Sequence, residues 1–369
     1  MTSKRQTVSE AIESFRISRK SYFAKKRDLA RNLVSSEKPP AGKLPVEILE
    51  PMLRSMRSRE LVVPPDVGID VGVTRSRGKY IVSSSDPITG AAERVGWHAV
   101  NVSANDVATS GIMPDTLNVI ALFPEGTTAG EIASVIAEIN ETAASLQISV
   151  AGGHTEITPN LKNQIIMVTA FGSGDSFVTA ADAKSDDVIL LTKTAGIEGT
   201  SILAKLPAVA RLIDRNTLLR GIALLDKLSI VQDARLAFET GKVHAMHDLT
   251  EGGVVGCMLE MSLASKLGFE LYADRVPIDE ATRTLCSRLK IDPLKLIGSG
   301  SLLISCKQSD SETIRSVLES AAVRCTEIGR FHDASFGRWI VTGTRKEELK
   351  GVSVQDELWP ALGKYANSS

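Results

Sequence analysis

Between residues 80 and 172 short aliphatic runs alternate with longer stretches of helical period, and this alternation narrows the fold more than any other feature. Tyr80 to Ser85 (YIVSSS) reads as a strand. Arg94 to Ser110 reads as a helix with Trp97, Val100, Ala104, Val107 and Ala108 along one face. Leu117 to Phe123 is a second strand, closed by Pro124. Thr128 and Glu131 form a capping box that opens a helix striped by Ile132, Val135, Ile136, Ile139, Ala143 and Leu146. Ile148 to Ala151 reads as a short strand running into Gly152-Gly153, and Ile165 to Gly172 as another apolar run. Strands and helices joined by short connections imply helices laid over a sheet. The pattern restarts near Asp186: a strand from Asp187 to Thr192, helical stretches around Gly199 to Leu206 and Leu218 to Glu239, and a helix from Val254 to Ala264. Strands from Leu302 to Ser305 and Arg338 to Thr342 flank a helix from Ser311 to Ala322. At roughly 100–200 residues per domain, 369 residues make two domains.

Composition removes several functional classes. Hydrophobic residues make up 43% and charged residues 24%, an ordinary globular balance. With 4% aromatics, aliphatic side chains fill the cores, and a base-stacking surface for single-stranded nucleic acid is disfavoured. A net charge of -1 gives no global field toward nucleic acid or anionic membrane. Basic residues crowd one place, from Lys4 to Arg31, in a segment that closes with Pro39-Pro40-Ala41-Gly42. We read residues 1–41 as a basic extension that covers a dimer or an active site, with nucleic-acid binding the minor alternative. No apolar run reaches the ~18–20 residues of a membrane span, and no signal-peptide core follows Met1. Cys257, Cys286, Cys306 and Cys325 form no CxxC pair and sit in apolar patterns, which suits buried thiols and a cytoplasmic setting better than zinc.

Glycines and acids gather at separated places. Gly68-Ile69-Asp70-Val71-Gly72 lets backbone approach a ligand. Ser83-Ser84-Ser85-Asp86-Pro87 puts an acid at a strand exit. Asn101, Ser103, Asn105 and Asp106 are poor interior helix residues, and Asn101 and Asn105 share a face. Gly152-Gly153-His154-Thr155-Glu156 reads as a tight loop able to hold a metal-bound triphosphate, or as a plain turn. His247-Asp248-Leu249-Thr250-Glu251-Gly252-Gly253 opens a helix with two glycines, whose free N–H groups make an anion site; Asp248 or Thr250 as a helix cap is the plainer reading. Asp70, Asp86, Asp106 and Asp248 cannot face a polyphosphate unaided, because like charges repel in a low-dielectric cleft. Mg²⁺ between them resolves this, since it takes a few carboxylates plus substrate phosphates. No GxxxxGK[ST] loop and no kinase HRD or DFG set is present, so nucleotide binding needs another fold.

In order, GIDVGV (68–73), SDPIT (85–89), GWHAVNVSANDVATSGIMP (96–114), GGHTEIT (152–158), EGTSILA (198–204), HDLTEGG (247–253) and SGSLL (299–303) resemble the PurM-type superfamily. That superfamily holds AIR synthase, thiamine-monophosphate kinase, selenophosphate synthetase and HypE, and HypE-like proteins are the nearest in pattern. The tail VQDELWPAL (354–362) shares the likeness. The resemblance implies an α+β, two-domain subunit. Its parts are a ferredoxin-like, ATP-binding N-terminal domain over 42–178 that pairs into a dimeric β-barrel, an α/β PurM-type domain over 179–345, and a tail over 346–369. It implies ATP and Mg²⁺ as cofactors and phosphorylation of an amide, carbonyl or phosphate acceptor, small or protein-borne. Asp70, Asp86 and Asp106 take the metal-facing positions. Gly68, Asp70, Asp86, Asn105, Gly152, Gly153, Thr155, Gly252 and Gly253 take the nucleotide-facing ones. Asp248, Thr250 and His154 take the catalytic ones.

Three departures qualify the likeness. Ile69 stands where the pattern is often acidic, and His154 where several relatives carry Asp. The chain ends Tyr365-Ala366-Asn367-Ser368-Ser369 with Cys325 its last cysteine, so the HypE reaction on a terminal cysteine is not expected. A nucleotide-binding maturation or scaffold protein without turnover is the alternative.

Overall fold

A computed structural model describes residues 46–56, 61–89 and 93–366. The basic extension expected over 1–41 lies outside the described residues. After α1 (Val46–Met56), the first domain runs β1 (Gly72–Ser76), β2 (Lys79–Ile88), α2 (Val95–Thr109), β3 (Thr116–Pro124), α3 (Ala129–Ser145), β4 (Ser149–Thr158) and β5 (Ile165–Gly174). The sheet order is β1-β2-β5-β3-β4, antiparallel except for the β3–β4 pair. Both helices cover one face, where Ala99, Val100, Ala104, Val107, Ile139 and Ala143 pack on Val82, Val119, Phe123 and Val168. The capping box forms as expected: the Glu131 amide donates to Thr128 Oγ1 at 3.3 Å, and the Thr128 amide donates to Glu131 Oε2 at 2.7 Å.

The second domain contains β6 (Val188–Thr192), α4 (Ile197–Ala204), α5 (Arg215–Ala223), α6 (Val231–Glu239), β7 (Val243–Asp248), α7 (Gly253–Ser265), β8 (Gly268–Tyr272), α8 (Glu280–Leu289), β9 (Leu302–Cys306), α9 (Ser311–Ser320), β10 (Cys325–His332), β11 (Arg338–Thr342), β12 (Arg345–Glu348) and α10 (Leu358–Tyr365). Seven strands form a mixed sheet in the order β12-β11-β8-β10-β6-β9-β7. Separate cores lie on its two faces, one built around α7 and one around α6 and α9. The tail helix α10 joins α4 and α8 in a further core through Leu358 and Ala361. The chain is thus α+β as a whole, and its second domain lays helices on both faces of a mixed sheet.

Two expectations about elements change. Leu218 to Glu239 is not one helix. It breaks between Ala223 and Val231, because buried polar groups pull on the connection: Asn105 takes the Leu228 carbonyl and the Ile230 amide, and Lys193 Nζ takes the Lys227 and Ser229 carbonyls. The strand that begins near residue 148 does not stop at Gly152. It continues to Thr158, because Gly153 lies so close to the β3 backbone that a Cβ there would sit 1.8 Å from the Val119 carbonyl oxygen. All four cysteines are free and buried. Among the described residues no helix is long and apolar enough to cross a membrane.

Candidate active site

The acids separated in sequence meet at the seam between the two domains. Ser84 and Asp86 follow Val82 at every second position of β2, on the face that α2 covers. The last turns of α2 bring Asp106 onto the same spot, and Ser84 Oγ donates to Asp106 Oδ2 at 2.7 Å and lies 3.4 Å from Asp86 Oδ2. Asp70 enters just before β1. From the second domain the end of β7 delivers His247 and Asp248, each 1% exposed. Burial first, then the charges of Asp248, Asp86 and Asp70, push the Asp106 carboxyl well above the ordinary carboxylate range, and Ser84 only partly offsets them. Burial lifts Asp248 to about 6, opposed by its contact with His247 and helped by Asp70 and Asp86.

His247 ties the cluster together. Its Nδ1 is 3.2 Å from Asp70 Oδ1 and 3.8 Å from Asp248 Oδ1, and its Nε2 is 3.1 Å from Glu260 Oε2 on α7. Burial favours the neutral ring, but Asp70, Asp248 and Glu260 outweigh it and raise the imidazole well above its usual value. Among the described residues, two buried atoms here find no hydrogen bond of good geometry, His247 Nδ1 and Asp248 Oδ1. Such orphans call for an explanation, and a cation is the simplest one. The ligand atoms of Asp70, His247 and Asp248 lie within 4.8 Å of one another. The residues present thus fit a divalent ion: hard oxygen donors, mutual repulsion to relieve, and unsatisfied atoms aimed inward.

Other residues singled out in the sequence are placed differently. Asn105 is fully buried, accepting from the Ile230 amide and donating to the Leu228 carbonyl, both at 2.9 Å, so its amide staples one domain to the other. Gly68, at φ +73°, presses on α7, where a Cβ would meet the Glu260 carbonyl oxygen at 2.4 Å. It serves the domain contact. Gly152, Gly153, His154 and Thr155 lie on β4, the exposed edge of the first sheet. Gly153 and Asp86 share one row across four strands, Asp86–Val168–Val119–Gly153. Three strand spacings put them roughly 14 Å apart. His154 is paired with Glu156 at 2.9 Å in the open. Within one subunit these residues do not join the acidic cluster.

The glycine-opened start of α7 is also occupied from within. The Gly252 amide donates to Asp356 Oδ2 at 2.6 Å, and the Leu358 amide to Asp356 Oδ1 at 2.7 Å. Burial raises the Asp356 carboxyl to about 6, with these amides and that of Ile297 opposing the rise. Gly253, at φ +59°, packs against the carbonyls of Leu294 and Leu296. The Thr250 amide points at Cys257 Sγ, 3.2 Å away.

Sequence reasoning passed over Glu260, and quoted Ser84, His247 and Asp356 without assigning them a role. Glu260 had a readable signal, as the only charge in GVVGCMLEMSLAS, a helix apolar on nearly every side. His98 is buried and meets Glu198 of the second domain at 2.8 Å.

Known proteins agree with this layout. The model of the AIR synthase related protein N-terminal domain matches residues 68–173, and that of the C-terminal domain matches residues 184–340. Carbamoyl dehydratase HypE of Escherichia coli (strain K12) is 27% identical over 249 residues, 66% of this chain and 71% of that protein. A selenide, water dikinase of Clostridium botulinum (strain Eklund 17B / Type B) is 26% identical over 246 residues, 64% of this chain and 69% of that protein. The crystal structure of hydrogenase maturation protein HypE in complex with ATP superposes with a TM-score of 0.63 at 23% identity, over 74% of this chain and 86% of that one. With both domain models matching in order across the two units of the fold, the chain belongs to the AIR synthase related family.

Proposed function

We propose that the protein is an ATP- and Mg²⁺-dependent enzyme of the phosphotransferase type that activates an amide, carbonyl or phosphate acceptor. The observation that carries this reading is the convergence of Asp70, Asp86, Asp106 and Asp248, from four separate segments and both domains, on one spot where Asp248 is buried and the others are half-buried. A protein gains nothing in stability from four such acids unless a cation joins them. Bound Mg²⁺ would link these carboxylates to phosphate oxygens and neutralise charge as it develops. In-line transfer asks the protein mainly for positioning and charge neutralisation. Here Ser84 fixes Asp106, and the end of β7 fixes Asp248, which burial keeps from water. Relatives support the nucleotide: a HypE structure contains ATP, and another relative is a dikinase.

The acceptor is external to the cysteines of this chain. Burial pushes the thiols of Cys257, Cys286, Cys306 and Cys325 up to about 12, which suppresses the reactive thiolate. A homodimer fits the open edge of the first sheet, where Ile120 on β3 is 39% exposed and Val150 and Ile157 on β4 are 40% and 45% exposed. A second copy laid along this edge would cover it and could carry β4, with His154 and Thr155, toward a neighbouring site.

The test is ADP release with Mg²⁺ across a panel of amide, carbonyl and phosphate acceptors. The expected result is Mg²⁺-dependent turnover stimulated by one acceptor class and lost in Asp106→Asn. One observation favours a scaffold that binds nucleotide without turnover: Asp356 already fills the Gly252 amide that a transferring phosphate would use. Tight Mg–ATP binding without ADP formation, in both wild type and Asp356→Ala, would select that reading.

A further inference from the structure

The residue that the carboxylate account leaves unexplained is His247. A magnesium–phosphate site needs oxygen donors, yet a buried imidazole sits at its centre with one nitrogen unsatisfied. We infer that Asp70, Asp248 and Nδ1 of His247 form a mixed carboxylate–imidazole site that takes a first-row transition-metal divalent ion in preference to Mg²⁺, with Glu260 holding the imidazole by its other nitrogen. The inference deepens the metal–nucleotide reading of the same seam and rests on it.

Four observations carry it. The first is spacing. Metal–donor bonds of about 2.1 Å place neighbouring donors roughly 3.0–3.4 Å apart in octahedral or tetrahedral geometry. Nδ1 is 3.2 Å from Asp70 Oδ1 and 3.8 Å from Asp248 Oδ1, so small side-chain adjustments bring all three onto one ion. The second is satisfaction: Nδ1 and Asp248 Oδ1 are the buried atoms of the cluster left without a hydrogen bond, and both belong to the trio whose ligand atoms gather within 4.8 Å.

The third observation is the support behind the ring. Metal-bound histidines almost always donate their second nitrogen to a carboxylate or carbonyl, which fixes ring orientation and leaves the first nitrogen as ligand. Glu260 Oε2, 3.1 Å from Nε2, occupies that place. It is the one charged residue of α7, a helix otherwise free to be wholly apolar. The fourth is donor chemistry. Imidazole suits transition metals, whereas carboxylate, carbonyl and water suit Mg²⁺, so one nitrogen among oxygens shifts preference along the series from Mn²⁺ toward Zn²⁺. A second grouping, His247, Cys257 and Glu260, shares the histidine. Its thiol is fully buried and takes the Thr250 amide, which leaves the Nδ1 side as the ligand face.

The experiment uses the full chain, stripped with chelator, without nucleotide, and titrated with Mn²⁺ or Mg²⁺. Pulsed electron paramagnetic resonance of the Mn²⁺-loaded protein is expected to show hyperfine coupling to an imidazole ¹⁴N. His247→Gln removes that coupling and weakens Mn²⁺ binding at least about tenfold, while Mg²⁺ affinity changes less. Glu260→Gln keeps the coupling and weakens Mn²⁺ by about tenfold, as loss of an outer partner does. Mn²⁺ bound without nitrogen coupling, no Mn²⁺ binding, or a His247→Gln protein with unchanged Mn²⁺ affinity overturns the inference. If His247→Gln fails to fold, the wild-type spectrum decides alone. An oxygen-only Mn²⁺ sphere alongside intact Mg–ATP turnover ends this inference and leaves the proposed function standing. Nitrogen coupling in a protein that never binds ATP does the reverse.

Discussion

Two segments of this chain look alike as text and differ as structure. HDLTEGG at 247–253 and GGHTE at 152–156 each combine histidine, threonine, an acid and two glycines. The first closes a strand buried on both faces and turns into a buried helix, so its His247 and Asp248 meet acids from the other domain. The second stays in the edge strand β4, exposed along nearly its whole length, where His154 pairs with its neighbour Glu156. Residue type proposes chemistry, but the surroundings decide whether charges are desolvated enough to matter. The glycines likewise serve different ends: Gly153 admits strand β3, whereas Gly252 offers its amide to Asp356.

The largest expected effect separates these segments. Asp248→Asn is expected to cut Mg²⁺-dependent ATP turnover by on the order of 100-fold or more, as loss of a preorganised charge at phosphoryl transfer does. His154→Ala in a protein held monomeric is expected to leave ATP binding unchanged, as calorimetry will read. A smaller contrast concerns the open edge: Ile120→Lys with Val150→Lys is expected to shift a dimer to monomer in sedimentation. If turnover falls with dissociation, β4 acts on the site of the second copy. If it does not, the edge strand has no part in the chemistry.

Next comes the staple. Asn105→Ala strands the Leu228 carbonyl and Ile230 amide and is expected to cost about 2–4 kcal/mol in chemical denaturation, without the metal dependence expected at Asp106. The smallest effect is a pH trend. Asp106 and Asp248 hold their protons to higher pH in the folded state than in the unfolded one, and His247 does likewise. The folded state therefore binds more protons, and metal-free stability falls as pH rises through about 6 and beyond. Melting temperature without metal is expected to drop by roughly 5 °C from pH 5 to pH 8. Mg²⁺ should abolish the part due to the cluster and leave that due to Asp356, whose carboxyl is raised to about 6 away from the acids.

Much of the first domain was readable because period and burial agree. The Thr128–Glu131 box and the stripe through Val135, Ile139 and Ala143 needed no tertiary information. Strands β7, β8 and β10 were not readable. Their residues are buried on both faces or interrupted by charge, as in VHAMHD and CTEIGRFH, so no alternation marks them. Asp70, Asp86 and Asp248 could be proposed from their setting beside glycines and strand ends, and Asp106 from a run of polar residues inside a helix. The exchange of Asn105 for Glu260 and His247 could not, because both depend on which face of α2 meets the Leu228 turn and which face of α7 meets β7. Polar residues at a domain seam read the same whether they bind a ligand or bind the other domain.

Calorimetric titration of the intact protein with ATP, run with Mg²⁺ and again with chelator, tests whether a cation joins the acids of the two domains around a nucleotide. Binding that requires the divalent ion, and that disappears in Asp106→Asn while the fold persists, is the expected result. ATP binding that is indifferent to metal and to Asp106, or absent altogether, would contradict it.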